Sequence, residues 1–157
     1  VRRAKQYSDL VITIPSIDPQ LWEFLSFSDA SNQNAAGSGT QAGTVICLTE
    51  RGLGEGHLVR FCPLVWRSHR LKRVVVSTMS GETMALTESL GHLEWLLSLC
   101  LEVFHEDFVL ANRERYFGRV TSTHIIDAKS VFDHLKSINP TQGCEDKRTG
   151  LDCIVGK

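Results

Sequence analysis

No stretch of this sequence approaches the ~18 to 20 consecutive apolar residues that a membrane span requires, and no basic segment followed by an apolar one leads into a small-residue cleavage site. The expectation is a soluble, unsecreted protein. Cysteine pairs of the form C-x-x-C are missing as well. The five cysteines, Cys47, Cys62, Cys100, Cys144 and Cys153, are scattered and odd in number, which argues against a disulfide framework and a zinc ribbon and for a reducing compartment. Six histidines show no H-x-x-x-H spacing, so the usual pattern of a histidine zinc site is lacking too. Net charge is also scarce, at -1 over 157 residues.

What is present suits one globular domain: 42% of the residues are apolar, enough for a chain this long to bury about 70% of its unfolded surface around one core. Charge is unevenly spread. Arg67, His69, Arg70, Lys72 and Arg73 fall within RSHRLKR, which reads either as a solvated connection or as a strip contacting phosphates.

Residues 1–20 show no clear period and read as a lead-in from a longer protein, with the domain proper over 21–157. LWEFLSF, AGTVICLT and HLVRFCPLVW are strand-like runs. Pro63 marks a bulge or an edge in the third, and glycines 52, 54 and 56 form a hairpin-like connection before it. Three such strands make an antiparallel meander. Over residues 80–104, Leu86, Leu90, Leu93, Leu97, Cys100 and Phe104 recur at spacings of three and four, the mark of an amphipathic helix. Ser80 or Thr78 is placed to cap it. Glu82 projects on its apolar side, whereas Glu88 and Glu102 project toward water. A carboxylate on the apolar side needs a partner, and a place in the first turn would favour its charged form. Then VTSTHII reads as a fourth strand ending at Asp127, followed by a short helix with Val131, Leu135 and Ile138 inward and a stop at Asn139-Pro140. A strand reached through a helix is expected to lie parallel to an earlier one in a mixed sheet.

Asp29 stands at the end of the first apolar run, Asp127 at the end of the fourth strand, and Glu82 near the start of the intervening helix. In an α/β sheet, sites lie beyond strand ends. Carboxylates converging there without cysteine or histidine favour Mg²⁺ or Mn²⁺ over zinc. Aspartate at a strand-to-turn position is also ordinary turn chemistry, so the pattern alone leaves both readings open.

The order FSDAS, two strands, PLVWRSHRLKRVVVSTMSGETMAL, then IIDAKSVFDHL resembles the ribonuclease H domain of copia-type retrotransposon polyproteins, over roughly residues 24–157. W-x-S followed, after a basic stretch, by S-T-x-x-x-E at Ser77, Thr78 and Glu82 is its most specific element. Asp29 in S-D-A-S and Asp127 in D-A-K-S match the family's two strand aspartates. The resemblance implies a ribonuclease H-like mixed α/β sheet, catalytic and metal-ligand roles for Asp29, Glu82 and Asp127, and two Mg²⁺ or Mn²⁺ ions. It also implies cleavage of the RNA strand of RNA–DNA hybrids during reverse transcription. Implied partners are the hybrid and the reverse transcriptase domain of the same polyprotein, with no membrane, in a cytoplasmic particle or the nucleus. Arg67, Arg70, Lys72 and Arg73 become phosphate-contact candidates on that reading.

The sequence departs from the family in two places. Ser80 stands where an acidic residue is usual, and KRTGLDCIVGK resembles the helix before the family's last strand, so that strand, the final helix and a fourth aspartate are expected beyond Lys157. Residues 1–157 alone would then be inactive, and Asp152 is assigned to the surface. No polymerase-type double aspartate is present. Two other classes stay open: a non-catalytic tether or scaffold of the same fold, and an integrase-like nuclease, although an integrase glutamate comes last in sequence. Trp66 and Trp95 read as core or interface aromatics, His92 reads as packing, and the loose set His134, Cys144 and Cys153 is set aside.

Overall fold

The computed structural model describes residues 6–7, 9–11, 13–35 and 39–136. Its elements are β1 (Trp22–Ala35), β2 (Gly39–Glu50), β3 (Phe61–Arg70), α1 (Thr78–Phe104), β4 (Thr121–Ile125) and α2 (Lys129–Lys136). The sheet runs β3-β2-β1-β4. β1 pairs antiparallel with β2, and β2 with β3, while β4 joins β1 in parallel. This is the expected mixed α/β arrangement, three antiparallel strands plus one parallel, with helices packed on the sheet.

The period-2 alternation of strands divides the residues between two faces. Toward α1, Phe24 of β1 and Ile46 of β2 meet Leu93 and Leu97, and Ala42 meets Leu71, Met84 and Ala85. Ser26 joins this face through a 2.8 Å hydrogen bond to Ser89 of α1. On the other face the register aligns Ile125, Phe27, Val45 and Trp66 in one row across all four strands. All four are exposed. Between β2 and β3, Gly52 and Gly56 adopt φ of 111° and 82°, the left-handed conformation that glycine alone takes without strain. Pro63 lies at the foreseen irregularity: Ile46 pairs with Val65 but Cys47 with Pro63, leaving Leu64 as a bulge in an edge strand.

The structure corrects several expectations. β1 does not end at Asp29 but runs on to Ala35, because Asp29, Ala30 and Ser31 pair with Gly43, Ala42 and Gln41 of β2. RSHR belongs to β3 rather than to a connection, with Arg67 opposite Thr44 and Arg70 opposite Gln41. Ser77, not Thr78 or Ser80, caps α1 by accepting the Ser80 N–H. The inner face of α1 closes with buried Leu101, while Phe104 is exposed and meets Trp22 edge-on with ring centroids 5.0 Å apart. Trp66 and Trp95 are 68% and 63% exposed, so neither is a core residue. In α2, Val131 is fully buried and Leu135 half-buried. Ile138, Asn139-Pro140, Cys144, Asp152 and Cys153 lie outside the described residues. Among the described residues no helix is long and apolar enough to cross a membrane.

Candidate metal centre

β4 makes its last pair with β1 at Phe27–Ile125. Asp29 and Asp127 each stand two residues further along, so the parallel register sets them side by side on the same sheet face. α1 approaches from the opposite face. Its close approach depends on Gly81: a Cβ there would come within 3.3 Å of Thr40 Cγ2 and of Val75 Cγ1, and 3.5 Å of Ala30 Cβ. Glu82 follows directly, its carboxylate accepting a hydrogen bond from the Ala30 backbone N–H, just past the last β1–β4 pair. Ligand oxygens of Asp29, Glu82 and Asp127 thereby all lie within 4.8 Å of one another.

The aspartates are exposed, whereas Glu82 is only 8% exposed. Burial pushes its carboxyl up from 4.5 to about 7, the Ala30 N–H opposes the rise, and the charges of Asp29 and Asp127 add to it. The helix start was expected to favour the ionised form. That expectation fails because α1 begins at Thr78, which places Glu82 in the second turn, where the dipole has fallen off and desolvation prevails. His124 does not supply a counter-charge. Burial holds its ring down at about 4, so near neutrality it is uncharged and its Nε2 lies 2.9 Å from Ser28 Oγ. A cluster of hard oxygen donors that repel one another and strain one member's ionisation fits a hard divalent cation.

The four basic candidates divide. Arg67 lies on the α1 side of β3 and its guanidinium contacts His92, so His92 does more than pack. Arg70, Lys72 and Arg73 line one depression with Gly39 and Thr40 at the end of the sheet, where Arg70 lies over Gly39. His69, between them, pairs at 2.8 Å with Glu88 of α1. The Ser28–His124 contact went unforeseen in the sequence. It depends on β1–β4 register, which no local spacing displays.

Fold and site together define a class: an α/β domain with a mixed sheet and three carboxylates, from a central strand, a helix and the loop after a parallel edge strand, gathered at one point. No protein-family model and no curated protein sequence matches this chain. Among solved structures it is similar to the Prototype Foamy Virus Protease-Reverse Transcriptase, native form, at 12% identity and TM-score 0.32, over 88% of this chain and 22% of that one. The selenomethionine-labelled CSH mutant of the same protein aligns at 13% identity and TM-score 0.34, over 91% and 22% of the two chains. This chain thus spans about a fifth of the length of either, and overlaps this weak assign neither family nor activity.

Proposed function

We propose that this domain is a metal-dependent endonuclease that hydrolyses the RNA strand of RNA–DNA hybrids, with Asp29, Glu82 and Asp127 holding Mg²⁺ or Mn²⁺, two ions in the full site. The observation that carries this reading is the meeting of these three carboxylates, from β1, α1 and the end of β4, within 4.8 Å. The motif resemblance agrees with it residue by residue. Bound divalent ions supply an activated water and a charge that stabilises the leaving oxygen of a phosphodiester. In this chain, exposed Asp29 and Asp127 offer oxygens on the side a substrate can reach, while buried Glu82 closes the cluster from beneath. Glu82 would hold the ion in its ionised form, the cation's charge offsetting both its burial and the two neighbouring aspartates. Arg70 sits roughly 12 Å from Asp29 by strand spacing and rise, and together with Lys72 and Arg73, just past the end of β3, it contacts the hybrid backbone at a distance from the cleaved bond. Recognition rests on backbone shape and 2′-hydroxyls rather than on base sequence. The domain would span residues 21–157 and act beside a reverse transcriptase domain of the same polyprotein in a retroelement particle.

The test is a hybrid-cleavage assay in Mg²⁺ or Mn²⁺ on this chain joined to its natural continuation. Metal-dependent cleavage leaving 5′-phosphate and 3′-hydroxyl ends is expected, abolished by Asp29→Asn and by Asp127→Asn with hybrid binding retained. Hybrid binding without any metal-dependent cleavage in the wild type would favour the scaffold reading.

A further inference from the structure

Resting on that metal-centre reading, we propose that Ser28 and His124 are a positioning pair that sets the separation of Asp29 and Asp127. β4 is a short edge strand joined to β1 by five residue pairs, from Glu23–Thr121 to Phe27–Ile125. Packing holds it weakly: Thr121, Ser122, Thr123 and Ile125 are exposed, and only His124 is half-buried. Two side-chain contacts tie it down instead. At the middle of the strand Thr123 Oγ1 donates to Glu23 Oε1 at 3.0 Å, and one residue further on His124 Nε2 meets Ser28 Oγ at 2.9 Å.

The second tie stands one residue before Asp29 and three before Asp127, across the two strands whose relative position decides how far apart the aspartates lie. A divalent ion with oxygen bonds of about 2.1 Å leaves little tolerance in that distance. Ser28 is buried, and His124 Nδ1 is buried with no hydrogen-bond partner among the described residues. The ring's orientation therefore depends on the contact through Nε2. Burial keeps the ring neutral, so it acts as a hydrogen-bonded strut and not as a counter-ion. It touches neither reacting atoms nor the ion, and its effect passes through the aspartates.

The experiment measures Mn²⁺ affinity by electron paramagnetic resonance, beside metal-free thermal midpoints, for the 157-residue chain and for Ser28→Ala, His124→Leu, the double variant and His124→Gln. Each single substitution is expected to weaken Mn²⁺ binding about tenfold, and Gln, whose terminal nitrogen can reach the Nε2 position, to stay within about threefold of wild type. The double variant should bind no more weakly than the weaker single, since both remove the same hydrogen bond. Unchanged Mn²⁺ affinity with only a lowered midpoint would show a structural tie and overturn the proposal, as would His124→Gln binding as weakly as His124→Leu. If His124→Leu fails to fold, Ser28→Ala decides, because it removes one oxygen and adds no volume. A wild-type chain with no saturable Mn²⁺ binding would overturn the metal-centre reading itself, and this inference with it.

Discussion

Glu82 carries the tension in this site. Its carboxyl is held at about 7 rather than 4.5, so the folded metal-free protein binds that proton more tightly than the unfolded chain does. Glu82 therefore withdraws stability as pH rises from 4.5 through about 7. His124 acts in the opposite sense. Its folded value of about 4 lies below 6.5, so its contribution is lost as pH falls through that window. Comparing wild type with Glu82→Gln isolates the first effect. Without metal, Glu82→Gln is expected to melt about 2–4 °C above wild type near pH 8, and the gap should shrink toward pH 5, while Mn²⁺ binding is lost. Differential scanning calorimetry checks this, and a variant less stable than wild type at pH 8 would mean that the ionised carboxylate is better compensated than its surroundings indicate. The need for a partner at Glu82 was legible from its place on the apolar side of a helix. Its raised pKa was not, since that depends on how deeply the Gly81 approach buries it.

At the scale of elements, two glycines on α1 make a paired test of how the site is assembled. Gly91 is exposed and has nothing near its missing side chain, so Gly91→Ala should stabilise the domain by about 0.5–1 kcal/mol. Gly81 faces Thr40, Val75 and Ala30 at van der Waals distance or less. Gly81→Val is expected to cost about 1–3 kcal/mol through overpacking and to weaken Mn²⁺ binding by displacing Glu82 from the aspartates. Urea titration of both variants gives the two signs, and equal signs would contradict the close approach. The basic strip divides likewise. Charge reversal at Arg70 or Lys72 should weaken hybrid binding and flatten its salt dependence by about one unit of slope for each phosphate no longer neutralised, with less effect on turnover at saturation. Arg67→Glu should act first on stability, because it breaks the pairing of Arg67 with His92. Filter binding over a salt series separates these outcomes.

Part of this arrangement was legible in the sequence and part was not. The antiparallel meander, a parallel fourth strand and the inward Glu82 followed from periodicity and from the helix that intervenes before the fourth strand, whereas its pairing with β1 did not. The extension of β1 past Asp29 did not, because SDASNQNA has no apolar alternation and becomes strand only by pairing with β2. Tertiary pairing overrode local preference there. RSHR misled in the same way: charged residues are common on edge strands, so they do not separate an edge strand from a loop.

For the molecule as a whole, the feature that composition concealed is the exposed row Ile125, Phe27, Val45 and Trp66, directly beside Asp29 and Asp127. Trp95, Leu99 and Val103 add a second exposed apolar stripe at four-residue spacing on α1. Apolar area of this kind favours association. The 157-residue chain is expected to self-associate and to bind a hydrophobic dye, and Val45→Thr with Trp66→Gln should reduce both. A monodisperse monomer with no dye binding in analytical ultracentrifugation and fluorescence would show that this face is covered.

The claim on which all of this rests is that Asp29, Glu82 and Asp127 hold one divalent cluster, and anomalous diffraction from crystals grown with Mn²⁺ tests it most directly. The expected result is a manganese peak between the three side chains, roughly 2.1 Å from oxygens of at least two of them, and absent in Asp29→Asn. Crystals saturated with Mn²⁺ that show no peak there, with the carboxylates turned apart or bonded to side chains of their own protein, would contradict it.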